Sequence, residues 1–216
     1  MSHVHYHSQS SARRFGGRSE DYGALHAWFD ATKIAWCDSR HRALRHHQSG
    51  IAWAVLRFGE RLQTSDGNWV GTEEVCRQHL LEDCGYVPTL RDWFREWDPP
   101  SWSFQGPDLV RLSLRLGCPE RTLRSVADYL LHPPLAETPD QPDAPLALRC
   151  HSFGAFEAEV VLGSVLRNPE GRQVPTRVVA EQIIADVCGA RVPCVSDWLS
   201  RLPKRRWMNP GYRGQT

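Results

Sequence analysis

The feature that most constrains the fold of this chain is an internal repeat. Residues 43–47, with the sequence ALRHH, return as residues 147–151, with the sequence ALRCH. The match continues without a gap to the Cys-Gly pairs that end at residues 85 and 189 and, after one inserted residue, to Trp102 and Trp207. A repeat of this length indicates a duplicated domain, or two fused halves of a former symmetric dimer, rather than a stacked solenoid. Because one chain already holds both copies, we expect a monomer.

The spacing of apolar and turn residues predicts that each copy is mainly helical. The Asp66-Gly67 pair lies between two short β-prone segments and predicts a hairpin. Apolar residues at helical spacing, together with the capping residue Thr72 and the terminating Gly85, predict helices around it. The first copy is predicted to have helices over 21–36, 38–58, 72–85 and 88–97. The predicted fold class is therefore mainly α with small β-hairpins (α+β), built from two tandem repeats of a helix–hairpin–helix–helix unit.

The repeat also predicts the domain organisation. We expect a flexible, histidine-rich tail over residues 1–12, a first repeat over 13–104 and a second, degenerate repeat over 105–216. Five prolines lie between Pro133 and Pro145, where the register places the first helix of the second copy. Because proline disrupts helix interiors, the second copy is expected to have lost most of that helix.

Composition excludes several classes of protein. The net charge is +1, which gives no global signal for binding nucleic acid or a membrane surface. No apolar run approaches the roughly 18 residues that a membrane span needs. The seven cysteines form no C-x-x-C pair, which argues against a zinc finger and favours a reduced, cytoplasmic protein.

The two copies provide an internal control for the polar residues of the first. His79 is replaced by Ile183 and Asp83 by Val187, so the fold accepts apolar side chains at both positions. By contrast, His47 recurs as His151, which favours a buried histidine with a hydrogen-bond partner but leaves a ligand role open. The ionisable residues without a counterpart of like chemistry are His26, Asp30, Lys33, His41, His46, His79 and Asp83.

The spacing of these residues predicts a single site. His26, Asp30 and Lys33 share one helix face, as do His79, Glu82 and Asp83. Imidazole and carboxylate groups on neighbouring helices are a common way to bind a divalent metal in helical proteins. The predicted metal ligands are His26, His41, His47, His79 and Asp83. The predicted catalytic residues are Asp30, Lys33, Glu82 and Arg42, and Asp30 and Glu82 could also support the metal.

Each of these residues also has a structural interpretation. A His and an Asp four residues apart on a helix are often a surface pair. The Arg40-His41-Arg42 run could be a solvated basic face or a phosphate contact. His3, His5 and His7 alternate in a segment that is expected to be disordered rather than ligating. The loss of the polar residues from the second copy as a group favours a functional site over a structural network.

Several motifs are similar to those of a family of small uncharacterised proteins from bacteria and their phages. The motifs are Arg40-His41-Arg42-Ala43, with the Leu-Arg-His-His that follows it, and His79-x-x-Glu82-Asp83-x-Gly85-x-x-Pro88. The resemblance covers about residues 7–97. Cys84 stands where the family pattern has Leu, and the second copy departs much further. The resemblance implies a shared site but no particular reaction.

Two functional hypotheses follow. The first is a divalent-metal-dependent hydrolase acting on a phosphoester in a nucleotide or nucleic acid, with Lys33, Arg40, Arg42 and Arg45 stabilising negative charge. The second is a module that binds a nucleotide or a protein without turnover, with a role in phage counter-defence or regulation. Both hypotheses use the same cluster of residues, and metal content distinguishes between them.

Overall fold

The computed structural model describes residues 4–97, 106–135, 144–168, 171–189 and 191–208. The chain divides into two compact units. Unit 1 comprises Met1–Trp97, Pro134–Asp140 and Leu202–Thr216, and unit 2 comprises Asp98–Pro133 and Gln141–Arg201. Unit 1 therefore includes later segments of the chain, which the repeat pattern did not predict.

None of the described helices is long and apolar enough to cross a lipid bilayer.

Unit 1 is mainly helical and contains one two-stranded antiparallel hairpin. Its hairpin turns at Gly67, whose φ of 86° favours glycine, and α4 ends at Gly85 in the left-handed conformation. The α-helices are α1 (Val4–Phe15), α2 (Glu20–Asp30), α3 (Gln48–Phe58), α4 (Thr72–Cys84) and α5 (Leu90–Phe94). The strands are β1 (Arg61–Gln63) and β2 (Trp69–Gly71), and the 3-10 helices are η1 (Ala31–Ile34), η2 (Ser39–Leu44) and η3 (Arg206–Met208).

Unit 2 repeats this order of elements, which confirms the predicted fold class. The hairpin of unit 2 pairs Leu166 with Val174, as the hairpin of unit 1 pairs Leu62 with Val70. The helices are α6 (Leu109–Leu116), α7 (Glu120–Leu131), α8 (Ala144–Arg149), α9 (Ser152–Leu162), α10 (Thr176–Val187) and α11 (Val195–Ser200). The strands are β3 (Val165–Arg167) and β4 (Gln173–Pro175).

The prediction that unit 2 had lost its first helix is wrong. Helix α7 is the counterpart of α2, because Arg149 donates to the carbonyl of Tyr129 as Arg45 donates to that of Trp28. Each guanidinium also lies over the ring of the same residue, at 4.2 Å in unit 2 and 4.3 Å in unit 1. Unit 2 has three more residues than unit 1 between this helix and the shared Ala-Leu-Arg run, so extending the register backwards placed the prolines on the helix. Pro133 instead follows α7.

The N-terminal segment is a helix rather than the flexible tail that was expected over residues 1–12, as far as its described part, from Val4, shows. Helix α1 packs against α2 and α4. Its residues His7, Ser8 and Ser11 are buried, with exposed fractions of 0–3%. His7 and Ser8 each lie about one helical turn before Ser11, so the three residues share one face of α1, and this face is part of the interior of unit 1.

The predicted continuous helix over residues 38–58 is also wrong, because the chain breaks between η2 and α3. His47 has extended backbone angles, and its Nδ1 accepts a hydrogen bond from the Gly50 amide at 3.0 Å, which caps α3. A Cβ on Gly50 would lie 1.7 Å from the carbonyl oxygen of Arg45. His151 and Gly154 make the same arrangement in unit 2, so this part of the shared motif serves the fold.

Candidate metal centre

Four side chains of unit 1 converge on one buried point. Asp30 ends α2, His46 lies in the break before α3, and His79 and Asp83 are one turn apart on α4. One nitrogen or carboxylate oxygen from each side chain lies within 4.8 Å of the other three. His79 also stacks on Phe29 at 4.8 Å between ring centroids, so the cluster adjoins the apolar core.

Three of these donor atoms form a compact triangle. The Nε2 atoms of His46 and His79 are 3.1 Å apart, and the Asp83 Oδ2 lies 3.2 Å from the first and 3.6 Å from the second. Ligand atoms about 2.1 Å from one ion lie roughly 3.0 Å apart in octahedral and roughly 3.4 Å apart in tetrahedral coordination. The triangle therefore has the dimensions of one face of a metal coordination shell.

Two carboxylate oxygens of the cluster support this interpretation. Within the described residues, neither Asp83 Oδ2 nor Asp30 Oδ1 makes a hydrogen bond of good geometry, although both atoms are buried. Buried carboxylate oxygens without such partners are costly, and a cation satisfies them. The cluster is therefore chemically suited to a divalent metal.

His26 orients His79. The Nδ1 atoms of the two rings are 3.0 Å apart, and the Nε2 of His26 is 2.9 Å from the hydroxyl of Ser11. When His79 is protonated at Nδ1, it donates to His26, which in turn donates to Ser11, and the His79 Nε2 lone pair faces the cluster. Both nitrogens of His26 are engaged and it lies outside the four-residue group, so its contacts favour this positioning role, and its role as a metal ligand stays a prediction.

Three cations neutralise the carboxylates. Arg42, whose side chain is 1% exposed, pairs with Asp83 Oδ1 at 2.8 Å, and Lys33 pairs with Asp30 Oδ2 at 2.7 Å. His7 contacts Glu82 at 2.5 Å and Asp83 at 3.4 Å. The expected proximity of Lys33 to Asp30 is confirmed.

The imidazoles of His26, His46 and His79 are held neutral, whereas that of His7 is protonated. Burial lowers the pKa of His46 and His79, and it lowers the pKa of His26 to about 4. Burial also acts to lower the pKa of His7, but hydrogen bonds to Asp83 and Glu82 outweigh it and raise that pKa to about 9. Burial acts to raise the pKa of Asp83, whereas its contacts with the His46 and His7 rings act to lower it, and the net effect is a lowering. Neutral imidazole and ionised carboxylate are the forms that bind metals.

The remaining predicted residues lie outside the triangle. His41 donates from Nδ1 to Thr32 at 2.9 Å, because the Thr32 hydroxyl itself donates to a carbonyl, and its buried Nε2 makes no hydrogen bond in the described residues. Burial lowers its pKa to about 2. The assignment of His47 as a metal ligand is replaced by its capping role. Glu82 lies at the edge of the cluster with its side chain 29% exposed.

Two of the arginines expected to stabilise negative charge have structural partners instead. Arg40 pairs with Asp38 at 2.8 Å and lies over the ring of Trp36. Arg45 bonds to the Trp28 carbonyl, as described above. Arg42 alone among the three reaches the cluster.

Unit 2 has an apolar core in the place of this cluster. The equivalent positions hold Leu112 for Ser11, Ala127 for His26, Cys150 for His46, Ile183 for His79 and Val187 for Asp83, and all five belong to its buried core. The polar set is thus dispensable for the fold and is replaced as a group.

Sequence reasoning missed two residues of α1, and it gave too little weight to His46, which lies before α3. His7 was assigned to a disordered tail, Ser11 was not considered, and His46 was recognised as unmatched but was not named as a ligand. The signal for α1 was present, since His7, Ser11 and Phe15 recur at four-residue spacing, and this spacing is typical of a helix that packs on one face.

Comparisons with curated proteins and with solved structures found no match for the chain. A family described as a domain of unknown function, DUF6915, matches residues 2–103 and 145–208. The first segment contains the whole cluster, and the second spans the repeated part of unit 2 from Ala147 onwards. Because the match covers well over half of the sequence in two segments, this chain belongs to the DUF6915 family of uncharacterised proteins.

Proposed function

We propose that unit 1 is a divalent-metal-dependent hydrolase that acts on a phosphoester. The observation that carries this proposal is the triangle formed by His46 Nε2, His79 Nε2 and Asp83 Oδ2, with edges of 3.1, 3.2 and 3.6 Å. Two imidazoles and one carboxylate are a ligand set of hydrolytic metal sites, in which a fourth position is left for water. A bound metal would lower the pKa of that water and polarise the phosphoryl oxygen.

The groups around the triangle have complementary roles in this proposal. Asp30, whose carboxylate belongs to the same four-residue group, would accept a proton from the attacking water, while Lys33 pairs with the Asp30 carboxylate and is 32% exposed. Arg42 fixes Asp83 from the side opposite to His46. Glu82 lies next to His7 at the edge of the cluster and exchanges protons with solvent.

The charges favour an anionic substrate. In the structure, the carboxylates of Asp30 and Asp83 are matched by Lys33 and Arg42, and that of Glu82 by protonated His7. A divalent ion adds two positive charges to a set that is already neutral. An anion such as a phosphoester restores the balance, and it is stabilised strongly in a site that excludes water.

The burial of the cluster favours a second candidate function. The side chains of His46 and His79 are 0% exposed, and that of Asp83 is 1% exposed. A fully enclosed metal is typical of structural rather than catalytic sites. In this alternative, unit 1 is a non-catalytic module that binds a nucleotide or a protein, for example in phage counter-defence or in cytoplasmic regulation.

Metal analysis and a hydrolysis assay on the purified full chain test the proposal. We expect about one divalent ion per chain by inductively coupled plasma mass spectrometry, and metal-dependent hydrolysis of bis(p-nitrophenyl) phosphate. The variant His79→Ile should lose both, whereas His47→Asn, which keeps a capping side chain, should retain both. Absence of metal after supplementation would contradict the metal site and favour the binding module, whereas stoichiometric metal without hydrolysis of any phosphoester would contradict the hydrolase and favour a structural metal.

A further inference from the structure

A groove on the surface of unit 1 is connected to the proposed metal site through His7. It runs between α1 and α4 and has a volume of about 460 Å³, which is in the range of small-molecule sites. Its floor includes Glu82, which contacts His7 at 2.5 Å, and His7 in turn contacts Asp83 at 3.4 Å. The groove is lined by Ser10, Arg13, Arg14, Gln78, Leu81 and Glu82.

The carboxylate of Glu82, which is the acidic group of this groove, already has partners on both of its oxygens. One oxygen of Glu82 accepts from Ser10 at 2.6 Å and from Gln78 at 2.8 Å, and the other contacts His7. Arg13 and Arg14 are exposed on the rim and make no ion pair with any described residue. The groove therefore offers two guanidinium groups whose charge is not compensated by the carboxylate next to them.

Unit 2 has the same groove without this property. It lies between α6 and α10, has a volume of about 390 Å³, and carries Arg115, Gln182 and Asp186 where unit 1 has Arg14, Gln78 and Glu82. Its arginines are committed, because Arg111 pairs with Asp186 and Arg115 bonds to the Gln182 side chain. In unit 1, by contrast, neither arginine of the groove pairs with Glu82, and the Arg14 guanidinium lies 5.3 Å from the ring centroid of Phe15.

We propose that the α1–α4 groove of unit 1 binds the phosphate group of a small phosphorylated molecule through Arg13 and Arg14. This inference rests on the proposed function and names the substrate class of the same site. Guanidinium groups bind phosphate oxygens in bidentate geometry, and two of them recognise a terminal phosphate well. The groove is open to solvent, and the net charge of +1 argues against a long nucleic acid as the occupant.

Phosphate binding can be measured independently of turnover. Inorganic phosphate and p-nitrophenyl phosphate are titrated into the full chain, with binding followed by amide chemical shifts and metal content determined on the same samples. Replacing both Arg13 and Arg14 by Gln is expected to raise the Kd at least about tenfold, because charge-assisted hydrogen bonds are lost. The matched control Arg115→Gln, in the groove of unit 2, is expected to leave the Kd unchanged.

The outcomes separate this inference from the proposed function. Binding that weakens only in the Arg13→Gln/Arg14→Gln variant supports the groove, even if the chain holds no metal and hydrolyses nothing, in which case the hydrolase proposal alone fails. Equal binding by the wild type and this variant overturns the groove while leaving the metal site standing. A short single-stranded DNA that binds unit 1 more tightly than both phosphates overturns the assignment to a small molecule.

Discussion

The ion pair between Arg42 and Asp83 gives the most demanding prediction. Both side chains are 1% exposed, and Arg42 also donates to the carbonyls of Asp83 at 2.6 Å and Met208 at 2.7 Å. Replacing Asp83 by Val, the residue found at position 187 of unit 2, leaves the Arg42 guanidinium buried without a counter-charge. Breaking a buried pair from one side typically costs about 3–5 kcal/mol.

Removing the arginine as well should reverse part of this loss. The register places Leu146 of unit 2 at the position of Arg42. The double variant Arg42→Leu/Asp83→Val eliminates the unpaired charge, while His7 keeps its contact with Glu82 at 2.5 Å. We expect the double variant to be more stable than Asp83→Val alone by about 2 kcal/mol, because an apolar replacement of a whole buried pair is often neutral or stabilising.

Urea unfolding followed by circular dichroism measures both free energies on the full chain. Asp186→Val in unit 2 serves as the comparison for an acidic residue on the corresponding helix, and its cost should be smaller because its partner Arg111 is exposed. A loss below about 1 kcal/mol for Asp83→Val would show that Arg42 is not held as a buried pair. A double variant no more stable than the single variant would refute the argument from an orphaned charge.

Three further predictions follow from particular contacts. Gly50→Ala should destabilise the chain by about 3 kcal/mol or prevent folding, because its Cβ would lie 1.7 Å from the Arg45 carbonyl oxygen. The control Gly23→Ala, in open space within α2, should stabilise the chain by about 0.5–1 kcal/mol in the same urea assay. Burial lowers the pKa of His151 to about 4, so between pH 6.5 and 4 the unfolded state binds a proton that the folded state does not, and stability falls as the pH drops through this window. His151→Asn should remove a pH dependence of up to roughly 3 kcal/mol. An unchanged profile of stability against pH would contradict the burial argument. Treatment with EDTA should lower the unfolding free energy of the wild type by about 4 kcal/mol if metal is held near 1,000 times its Kd, but should not affect His79→Ile, as measured by thermal melting.

The sequence by itself determined the repeat, the mainly helical fold class with its hairpins, and several members of the candidate site. The repeated Gly, Thr and Cys-Gly positions, and the apolar spacing around them, are local signals, because caps, turns and helix faces depend on residues close in the chain. The replacement of His79 and Asp83 by Ile183 and Val187 identified two positions of the candidate site without any structure. The pairing of Asp30 with Lys33 followed from helical spacing alone.

The tertiary structure decided which of these residues share a site and what each one does. His47 and His46 are adjacent in the chain, yet one caps α3 and the other faces Asp83, because the backbone breaks between η2 and α3. His7 enters the cluster only because α1 packs on α2 and α4, and its contact with Glu82 of α4 joins residues 75 positions apart in the chain. Such contacts depend on the relative placement of whole elements and on burial. Local sequence patterns do not encode that placement. The triangle of donor atoms, the contact between His26 and Ser11 and the groove lined by Arg13 and Arg14 are therefore visible only in the folded chain.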